Sequence, residues 1–564
     1  MPGKKTLLVD PSFEAFLEVL SRGGGGKAFY DSLDITQILY VGAASNLPLA
    51  SCESQLVFLL RPVPVYVKMM QDIVSKCRRN TFLAAWLPQS NGVCTLEMER
   101  QGLKGLVREV DMPIFLLPCE DFVWSLCWEA AFHNLYLNHE RSILTFVVQS
   151  LLHLESQGLA LQRVSGFGEI GEQTKNLFDT VQAAAMKSRP SSSRPTVVID
   201  HCILLDRLND PISLLVTPLH YEGLLDAVMD MQHGTIVHDG KKRVLQDEFY
   251  TSIRDMDFDQ LTTLLSEMST SLHVELSDTK ASSSSNSISS NAAVADILRK
   301  LSSLAKTKQD LSLHVDLGQA ITKASQEDMD ALRRCVETEH LIMAAGGSNS
   351  DAATIDTMLE EALFRVPPLE LTKTLKLLCL PCLVVGGFKQ SALDRWKTQL
   401  CHTYGYTTMI PLLDTLTSLQ WLFVKGSHST WNWSTSKKRL DALVNGNAIA
   451  NDIAFMFSVT GYAPLSVRTV QVAVGQRRLS GVNLPTASSA SSLSTVSSAS
   501  SSSSSSSKTK QTILVYYIGG VTVAEIAAFR FLNRVQDNYN FIIATTAICN
   551  PTRLLQSLGR QDKI

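Results

Sequence analysis

The feature that most constrains the fold is an aliphatic run in mid-chain that ends at a charged turn. Residues 197 to 205 read Val-Val-Ile-Asp-His-Cys-Ile-Leu-Leu and are followed directly by Asp206-Arg207. A short run of this kind is typical of a strand buried on both faces of a parallel sheet. Beyond the turn, Thr217-Pro218 marks a helix start, and apolar residues recur at helical spacing from Tyr221 to Met231. The stretch therefore predicts a central strand of an α/β domain that leads into a helical region.

A second stretch of this type lies near the C-terminus. Thr512 to Ile518 is a strand-like run, Gly519-Gly520 is a tight turn, a helical pattern extends to Leu532, and residues 539 to 546 are again strand-like. Strand, turn, helix and strand form one βαβ unit, whose crossover should be right-handed.

Two strings of residues resemble the signature of the SM (Sec/Munc) family, which binds syntaxin-type SNARE proteins. One reads Leu204-Leu-Asp-Arg207, then Asp210, then Thr217-Pro-Leu-His-Tyr-Glu-Gly-Leu224, and the other is the C-terminal βαβ unit. The octet Gly461-Tyr-Ala-Pro-Leu-Ser-Val-Arg468, with Thr403-Tyr-Gly-Tyr406, is similar to the vacuolar branch of that family. The signature residues expected to have structural roles are Asp206, Arg207, Asp210, Tyr221, Glu222, Gly461, Tyr462, Pro464, Gly519, Gly520 and Glu525.

The resemblance implies an α/β fold with a large helical insertion, arranged as an arch of two doubly wound parallel-sheet domains and an all-helical domain. We expect domain 1 at residues 1–115, a discontinuous domain 2 at residues 116–220 plus 456–564, and helical domain 3 at residues 221–455. Strand-like runs at residues 6–9, 37–41, 55–60 and 81–87 agree with this arrangement. Between the last two, residues 63–76 are predicted to be a helix with Val65, Met69, Met70 and Ile73 on one face. The resemblance also implies that the two signature stretches share one sheet.

Two parts of the predicted architecture depend on weaker patterns. A helical hairpin is expected at about residues 291–345, although Leu311, Leu313, Val315 and Leu317 alternate with polar residues as in a strand. The family has helix there, and we follow the family. By composition, residues 281–290 are a flexible linker and the Ser-rich tract 488–507 is disordered.

Composition narrows the classes of function. The 564 residues are 45% hydrophobic and 19% charged, as in a globular protein, and the net charge is -3 without a long basic block. We therefore expect no nucleic-acid partner. The chain starts Met1-Pro-Gly-Lys-Lys without an apolar signal segment, and its 11 cysteines follow no framework spacing. These observations predict a cytosolic protein with reduced thiols. No apolar run reaches the roughly 18 to 20 residues of a membrane span, so membrane contact should be indirect.

Two glycine motifs raise the alternative of a nucleotide-dependent enzyme. Gly166-Phe-Gly-Glu-Ile-Gly171 has the spacing of a dinucleotide-binding turn, but it follows a helical pattern and not a strand, which favours a loop. Gly519-Gly520 does lie between a strand and a helix, yet no Gly-Lys-Ser/Thr follows. A close turn that needs glycine for steric reasons is favoured there.

We predict no catalytic residue, metal or cofactor. Cys379-Leu-Pro-Cys382 has redox or half-zinc spacing, but it lacks a second pair and lies in an apolar helical pattern, so buried structural thiols are favoured. His133 and His139 lack zinc-helix spacing, and no Gly-x-Ser-x-Gly elbow is present. Asp206, Arg207 and Asp210 are expected to form a local ion pair that fixes the turn, and Tyr221-Glu222 is expected to be architectural.

The resemblance implies a binding function. The protein would hold syntaxin-type and R-type SNARE helices in register as a subunit of the HOPS and CORVET tethering complexes, docked to vacuolar protein sorting-associated protein 16 and other class C subunits. It would be peripheral on late endosome and lysosome or vacuole membranes, in vesicle docking and fusion. The alternative within the family is a secretory-pathway branch that acts on another syntaxin. Candidate SNARE contacts on the hairpin, each equally compatible with a core position, are Met329, Leu332, Arg333, Arg334, Val336 and Glu337.

Overall fold

A computed structural model gives the architecture of the chain. The residues it describes are 3–14, 17, 27–41, 48–49, 52–77, 80–188, 197–232, 234–284, 307–323, 338–344, 356–357, 359–360, 370–426, 433–444, 451–457, 461–476 and 510–558.

The first sheet has five parallel strands in the order β2-β1-β3-β4-β5. Its strands are β1 (Lys5–Val9), β2 (Ile35–Tyr40), β3 (Gln55–Leu60), β4 (Thr81–Trp86) and β5 (Val107–Asp111). Its helices are α1 (Lys27–Ser32), α2 (Pro64–Lys76) and α3 (Gly92–Arg100).

Helix α2 buries a stripe that differs in part from the predicted one. The sequence analysis placed helix at residues 63–76, and the buried side chains are Val67, Met70 and Ile73, at a spacing of three residues. Val65 lies in the first turn and is exposed. Burial of this stripe against Leu8 and Phe58 packs the helix on the sheet.

The second sheet has six strands in the order β6-β7-β16-β14-β11-β9, and only the β6–β7 pair is antiparallel. Its strands are β6 (Leu117–Glu120), β7 (Val123–Ser125), β9 (Val164–Phe167), β11 (His201–Asp206), β14 (Gln511–Ile518) and β16 (Tyr539–Thr545). Two short parallel pairs lie beside this sheet. They are β8 (Leu159–Leu161) with β10 (Val197–Ile199), and β15 (Val521–Thr522) with β17 (Ile548–Cys549).

The two signature stretches are neighbours in this sheet. Strand β11 pairs with β14 in parallel, with His201 opposite Ile513 and Asp206 opposite Ile518. The prediction that the two stretches share one sheet is therefore confirmed. The helices near this sheet are α4 (Ala131–Tyr136), α5 (Ser142–Ser156), α6 (Gly168–Ser188), α17 (Leu465–Ala473), α18 (Val523–Val535) and α19 (Pro551–Leu558).

The helical region lies between β11 and β14 in the chain. Its core is continuous with one face of the second sheet, since Leu204 and Tyr516 pack in the same cluster as Leu378 and Trp396. Its helices are α7 (Tyr221–Met229), α8 (Glu248–Ile253), α9 (Phe258–Ser284), α10 (307–323), α11 (338–344), α12 (Leu371–Val385), α13 (Gln390–Tyr404), α14 (Tyr406–Ser418), α15 (Trp433–Leu440) and α16 (Ile453–Met456).

A β-hairpin interrupts this region, which the sequence analysis had expected to be helical. Strands β12 (Thr235–His238) and β13 (Lys241–Val244) are antiparallel. Asp239 and Gly240 join them with φ values of 50° and 70°. Asp-Gly is a preferred pair for such a two-residue turn, so the signal was present in the sequence.

The predicted helical hairpin is described in part. Residues 307–323 are helical, with Leu311 and Leu317 buried, so the helix expected from the family is confirmed and the strand-like alternation was misleading. Helix α9 runs to Ser284, so the first four residues of the predicted linker 281–290 are helical. The Ser-rich tract 488–507 lies outside the described residues. In the described part of the chain, no helix is long and apolar enough to cross a membrane.

Candidate protein-interaction site

A buried ion pair joins the two signature stretches. The Arg207 guanidinium donates to both carboxylate oxygens of Glu525, at 2.6 and 2.9 Å, and to the backbone oxygen of Asp210 at 2.7 Å. All three side chains are fully buried. Glu525 also forms a capping box with Thr522 at the start of α18. The carboxylate therefore fixes both the helix start and the Arg207 turn.

Asp210 attaches the Gly461 octet to the same turn. Its carboxylate accepts hydrogen bonds from the Tyr462 hydroxyl at 2.7 Å and from the Ser466 amide at 3.0 Å. It also accepts from the amide and hydroxyl of Ser213. Burial holds the pKa of Tyr462 well above its ordinary value, so the phenol remains a donor. Pro464 lies between these contacts, just before α17.

The third acidic signature residue, Asp206, binds elsewhere. Its carboxylate accepts from the Tyr136 hydroxyl at 2.7 Å and from the amides of Ile170 and Leu208 at 3.0 Å. The predicted local ion pair is therefore confirmed for Arg207 and Asp210, whose side chains are 3.9 Å apart, but Asp206 is not part of it. The nearer carboxylate partner of Arg207 is Glu525, which the sequence analysis did not predict. The Thr522-x-x-Glu525 spacing signalled a helix start, but nothing in the sequence linked that helix to Arg207.

Protein atoms crowd both glycines of the Gly519-Gly520 turn, which could have accepted a phosphate. At Gly519, with φ of 97°, an added Cβ would lie 2.7 Å from a ring carbon of Tyr136. At Gly520 it would lie 2.0 Å from Cys549 Sγ. These contacts leave no room for a side chain, and both glycines have a positive φ that favours glycine.

The Gly166 motif does follow a strand, contrary to the sequence analysis. Residues Val164–Phe167 form β9, and α6 begins at Gly168. The amide end of α6 is occupied, however, because the Asp206 carboxylate binds the Ile170 amide. An added Cβ at Gly168 would lie 2.6 Å from Asp206 Cβ. The protein's own carboxylate fills the place that an anion would take.

The crevice at the carboxyl edge of the first sheet is also filled. In a sheet of order 2-1-3-4-5, ligands bind where β1 and β3 diverge. Arg61 follows β3 there, is buried, and stacks 4.5 Å from the rings of both Phe13 and Trp128. It donates to the backbone oxygens of Leu126 and Cys127, at 3.4 and 2.7 Å. The crevice therefore holds the junction between the first sheet and the residues that follow β7.

A third buried arginine connects the second sheet to the helical region. Arg530 of α18 donates to Glu222 at 2.8 Å and to Glu120 at 3.0 Å, and it also binds Asp255. The Tyr250 hydroxyl donates to Glu222 at 3.0 Å. A cavity of about 270 Å³ lies beside these groups, lined by carboxylates, arginines and apolar side chains. Glu222 is therefore part of the joint between the two regions.

Two helices within the predicted hairpin region, residues 307–323 and 338–344, which we call its legs, contact the signature residues. His314 in the first leg hydrogen-bonds the Tyr221 hydroxyl at 2.9 Å. Glu339 in the second leg accepts from the amide and hydroxyl of Thr217, both at 2.9 Å. His340 packs on Gly461, where an added Cβ would lie 2.1 Å from its ring. Burial lowers the pKa of His314 and raises the pKa of Glu339.

The match to a family model decides the identity of this architecture. The model described as the Sec1 family matches residues 5–557. The chain belongs to the Sec1 family. The resemblance to SM proteins, the group that this family comprises, is thereby confirmed.

Relatives with curated names come from the vacuolar branch of the Sec1 family. The Vacuolar protein-sorting-associated protein 33 homolog of Arabidopsis thaliana is 25% identical over 536 residues, which cover 89% of this chain and 86% of the relative. Vacuolar protein sorting-associated protein 33A of Rattus norvegicus is 25% identical over 550 residues, covering 91% and 88%.

Solved structures of Sec1-family proteins share the fold. Vps45 in complex with the Qa SNARE Tlg2 has a TM-score of 0.60 at 14% identity, covering 99% of this chain and 94% of that chain. The Unc18–syntaxin 1 complex from Monosiga brevicollis has a TM-score of 0.56 at 14% identity, covering 99% and 95%. The predicted fold, two parallel-sheet domains and a helical region in an SM arch, is confirmed.

The predicted SNARE contacts of this Sec1-family chain cannot be placed on the fold. Met329, Leu332, Arg333, Arg334, Val336 and Glu337 lie outside the described residues, in the segment 324–337 between the two legs.

Cys379 and Cys382 are buried in α12, and the Phe423 amide lies 3.2 Å from Cys382 Sγ. Within the described part of the chain, no cluster of His, Cys, Asp and Glu could hold a metal ion.

Proposed function

We propose that this chain binds SNARE helices and holds them in register, as a subunit of the HOPS and CORVET complexes in vesicle docking and fusion at endosomes and the lysosome or vacuole. The observation that carries the proposal is the anchoring of both hairpin legs, through His314 and Glu339, to the signature stretch. A template must present its contacts in a fixed geometry, because a preorganised surface avoids the entropy cost of ordering on binding. Two related proteins, Vps45 and Unc18, have been solved in complex with a Qa SNARE and with a syntaxin, which supports the choice of partner.

A binding function is favoured over a nucleotide-dependent enzyme by the filled crevices. Arg61 occupies the carboxyl edge of the first sheet, and Arg207 with Glu525 occupies that of the second. The amide end of α6 is taken by Asp206. Thermal unfolding with ATP, GTP or NAD tests the alternative, since a ligand of the folded state raises the midpoint. A raised midpoint with any of the three would count against the binding-only proposal.

The proposed partners are syntaxin-type and R-type SNAREs, vacuolar protein sorting-associated protein 16 and the other class C tethering subunits. The curated names of the relatives support the vacuolar branch over a secretory-pathway branch. Through these partners the protein would reach late endosome and lysosome or vacuole membranes from the cytoplasm, without nucleic acid or cofactor.

Tagged purification from cytosol, with identification of the retained proteins, tests the assignment to the vacuolar branch. Recovery of class C subunits supports the tethering role. Recovery of a single syntaxin without them would move the chain to a secretory-pathway branch. Direct titration with purified SNARE helices then tests binding, and the absence of saturable binding to any of them would refute the template role.

A further inference from the structure

We propose that the cavity of about 270 Å³ at the joint between the second sheet and the helical region binds an organic cation, through the guanidinium or ammonium end of a ligand. Three features of the cavity point to such a ligand. They are an excess of negative charge in its lining, a buried acceptor without a hydrogen bond, and an entry from solvent. The site is independent of the proposed SNARE binding.

Among the described residues, more carboxylates than arginines line the cavity. The carboxylates are Glu120, Asp121, Glu222 and Asp226, and the arginines are Arg254 and Arg530. A concave surface with an excess of one sign of charge attracts ligands of the opposite sign, because its low-dielectric walls focus the field. The lining therefore favours a cation and disfavours an anionic ligand such as a phosphate.

One carboxylate oxygen of the cavity wall lacks a hydrogen bond. Glu120 Oε1 accepts from Arg530 at 3.0 Å, whereas Oε2 is buried and has no hydrogen-bond donor among the described residues. Arg254 Nη1 lies 3.0 Å from Oε2 and pairs the charges, but without the geometry of a hydrogen bond. A buried acceptor without a donor is unfavourable. A ligand N–H in the cavity would supply that donor.

Asp226 of α7 offers a second acceptor to the ligand. It is 5% exposed, and burial raises its pKa to about 7. Glu222 and Asp230 on the same helix favour the neutral acid as well. The groups that favour its anion are the Asn550 side chain, Arg553 of α19 and Lys376 of α12. These groups do not offset the burial of the charge, so a cation in the cavity would stabilise the Asp226 carboxylate.

The cavity is open to solvent and suits a ligand of the size of one side chain. Asp121, Gln246 and Thr251 in its lining are exposed, whereas Glu222 and Tyr250 are buried. A ligand can therefore enter past the exposed residues. Small-molecule sites span roughly 300–1,000 Å³, so this volume fits a group as small as the end of an arginine or lysine. A metal ion is disfavoured, because the described carboxylates form no cluster that could hold one.

Calorimetric titration of the full chain with n-butylguanidinium and with n-butylurea tests the site. The two molecules have nearly the same shape, but only the first is charged. A charge-assisted hydrogen bond is about twice as strong as a neutral one, so we expect saturable binding of n-butylguanidinium about tenfold tighter than that of n-butylurea. Equal affinities, or no saturable binding of n-butylguanidinium, would overturn the proposal.

Two isosteric variants locate the bound cation. Glu120→Gln and Asp226→Asn each remove a carboxylate from the lining and should weaken the binding of n-butylguanidinium about tenfold. Asp226→Asn removes an unfavourable buried charge, so this variant should stay folded. Asp72→Asn makes the same charge change at an exposed position of α2 and should bind like the wild type. Wild-type affinity in both cavity variants, or equal weakening by Asp72→Asn, would overturn the site.

The pH dependence of binding separates a contact with the cation from a structural role of Asp226. The ionised fraction of a carboxyl with a pKa of about 7 rises about tenfold from pH 6 to pH 8. The affinity of the wild type relative to Asp226→Asn should rise by about that factor, and other groups titrate in both proteins. A ratio of affinities that stays constant would overturn the contact with Asp226.

The natural cation has two possible sources, a free molecule or a side chain of a partner protein. Mass analysis of the small molecules released on denaturing the purified chain distinguishes them. A stoichiometric amine or guanidine identifies a free ligand. A chain that is purified empty and still binds n-butylguanidinium assigns the cavity to an arginine or lysine of a partner. An empty chain without that binding would refute both.

Discussion

The Arg207 guanidinium donates to both carboxylate oxygens of Glu525, at 2.6 and 2.9 Å, although 318 residues separate the two in sequence. The pair closes the second sheet domain around the inserted helical region. Because both groups are buried, each charged side chain is stabilised by the other. The stability of the second sheet domain therefore depends on both residues.

Removing one partner of this pair should destabilise the protein strongly. Glu525→Ala leaves the Arg207 charge buried without its main partner, which costs about 3–5 kcal/mol. Replacing both residues, Arg207→Met with Glu525→Leu, removes both charges and should recover most of that loss. Denaturant unfolding measures the difference. A single variant as stable as the wild type, or a double variant less stable than the single one, would contradict this account of the pair.

Arg61→Met should weaken the junction between the first and second sheets. The variant keeps an aliphatic side chain between Phe13 and Trp128 but leaves the backbone oxygens of Leu126 and Cys127 without their donor. Each buried acceptor without a donor costs about 1–3 kcal/mol. We expect a lower unfolding midpoint and faster hydrogen exchange in residues 124–128. Arg108→Met on the exposed face of β5 is the matched control, and equal effects of the two changes would refute this role for Arg61.

Asp226 should make stability depend on pH. Burial raises its pKa to about 7, above the value of 3.8 that it has when exposed. The folded state therefore holds a proton that the unfolded state releases between these values, and stability falls as the pH rises through this window. Asp226→Asn removes that dependence, so its stability relative to the wild type should be higher at pH 8 than at pH 4.

Denaturant midpoints of the Asp226→Asn variant and the wild type at pH 4, 6 and 8 measure this effect. Other buried groups titrate in both proteins, so the difference between them isolates Asp226. A constant difference for Asp226→Asn would show that its pKa is not raised.

The charged stripe predicted from sequence gives the most direct test of SNARE binding. Arg333→Glu with Arg334→Glu should weaken binding to an R-type SNARE helix, because reversed charges repel the partner surface that the arginines would contact. Surface changes move stability by about 0.5 kcal/mol or less, so the variant should stay folded. Lys68→Glu with Lys389→Glu makes the same charge change at exposed positions elsewhere. Equal affinity of both double variants would exclude the stripe as a SNARE contact.

The residues in regular elements were mostly predictable. The β3 run at residues 55–60, the β4 run from Thr81 and the β11 run before Asp206 are short apolar segments bounded by polar turns, and each is a strand. The β12–β13 hairpin was missed because we read that region by its dominant helical spacing and overlooked Asp239-Gly240. Helix α10 was read correctly only with the family, since its buried residues Leu311 and Leu317 are embedded in a period-two pattern.

The candidate site was predictable in part. The signature residues were found from their spacing, but their partners were not. Tyr136 on Asp206, Arg530 on Glu222 and His340 on Gly461 come from segments that no local pattern connects. The Arg61 junction was missed because a lone arginine after a strand is usually a solvent-exposed charge.

The sequence by itself therefore determined the family, most of the strands and helices, and the signature positions that carry a glycine or a charge. These features depend on local periodicity, on turn chemistry and on residues that are close in the chain. Only the tertiary structure decided which carboxylate Arg207 binds, what fills the crevices at the sheet edges and what rests on Gly461. Such choices depend on how distant segments meet, since a buried charge is stabilised by whichever partner the closed fold brings within hydrogen-bonding distance.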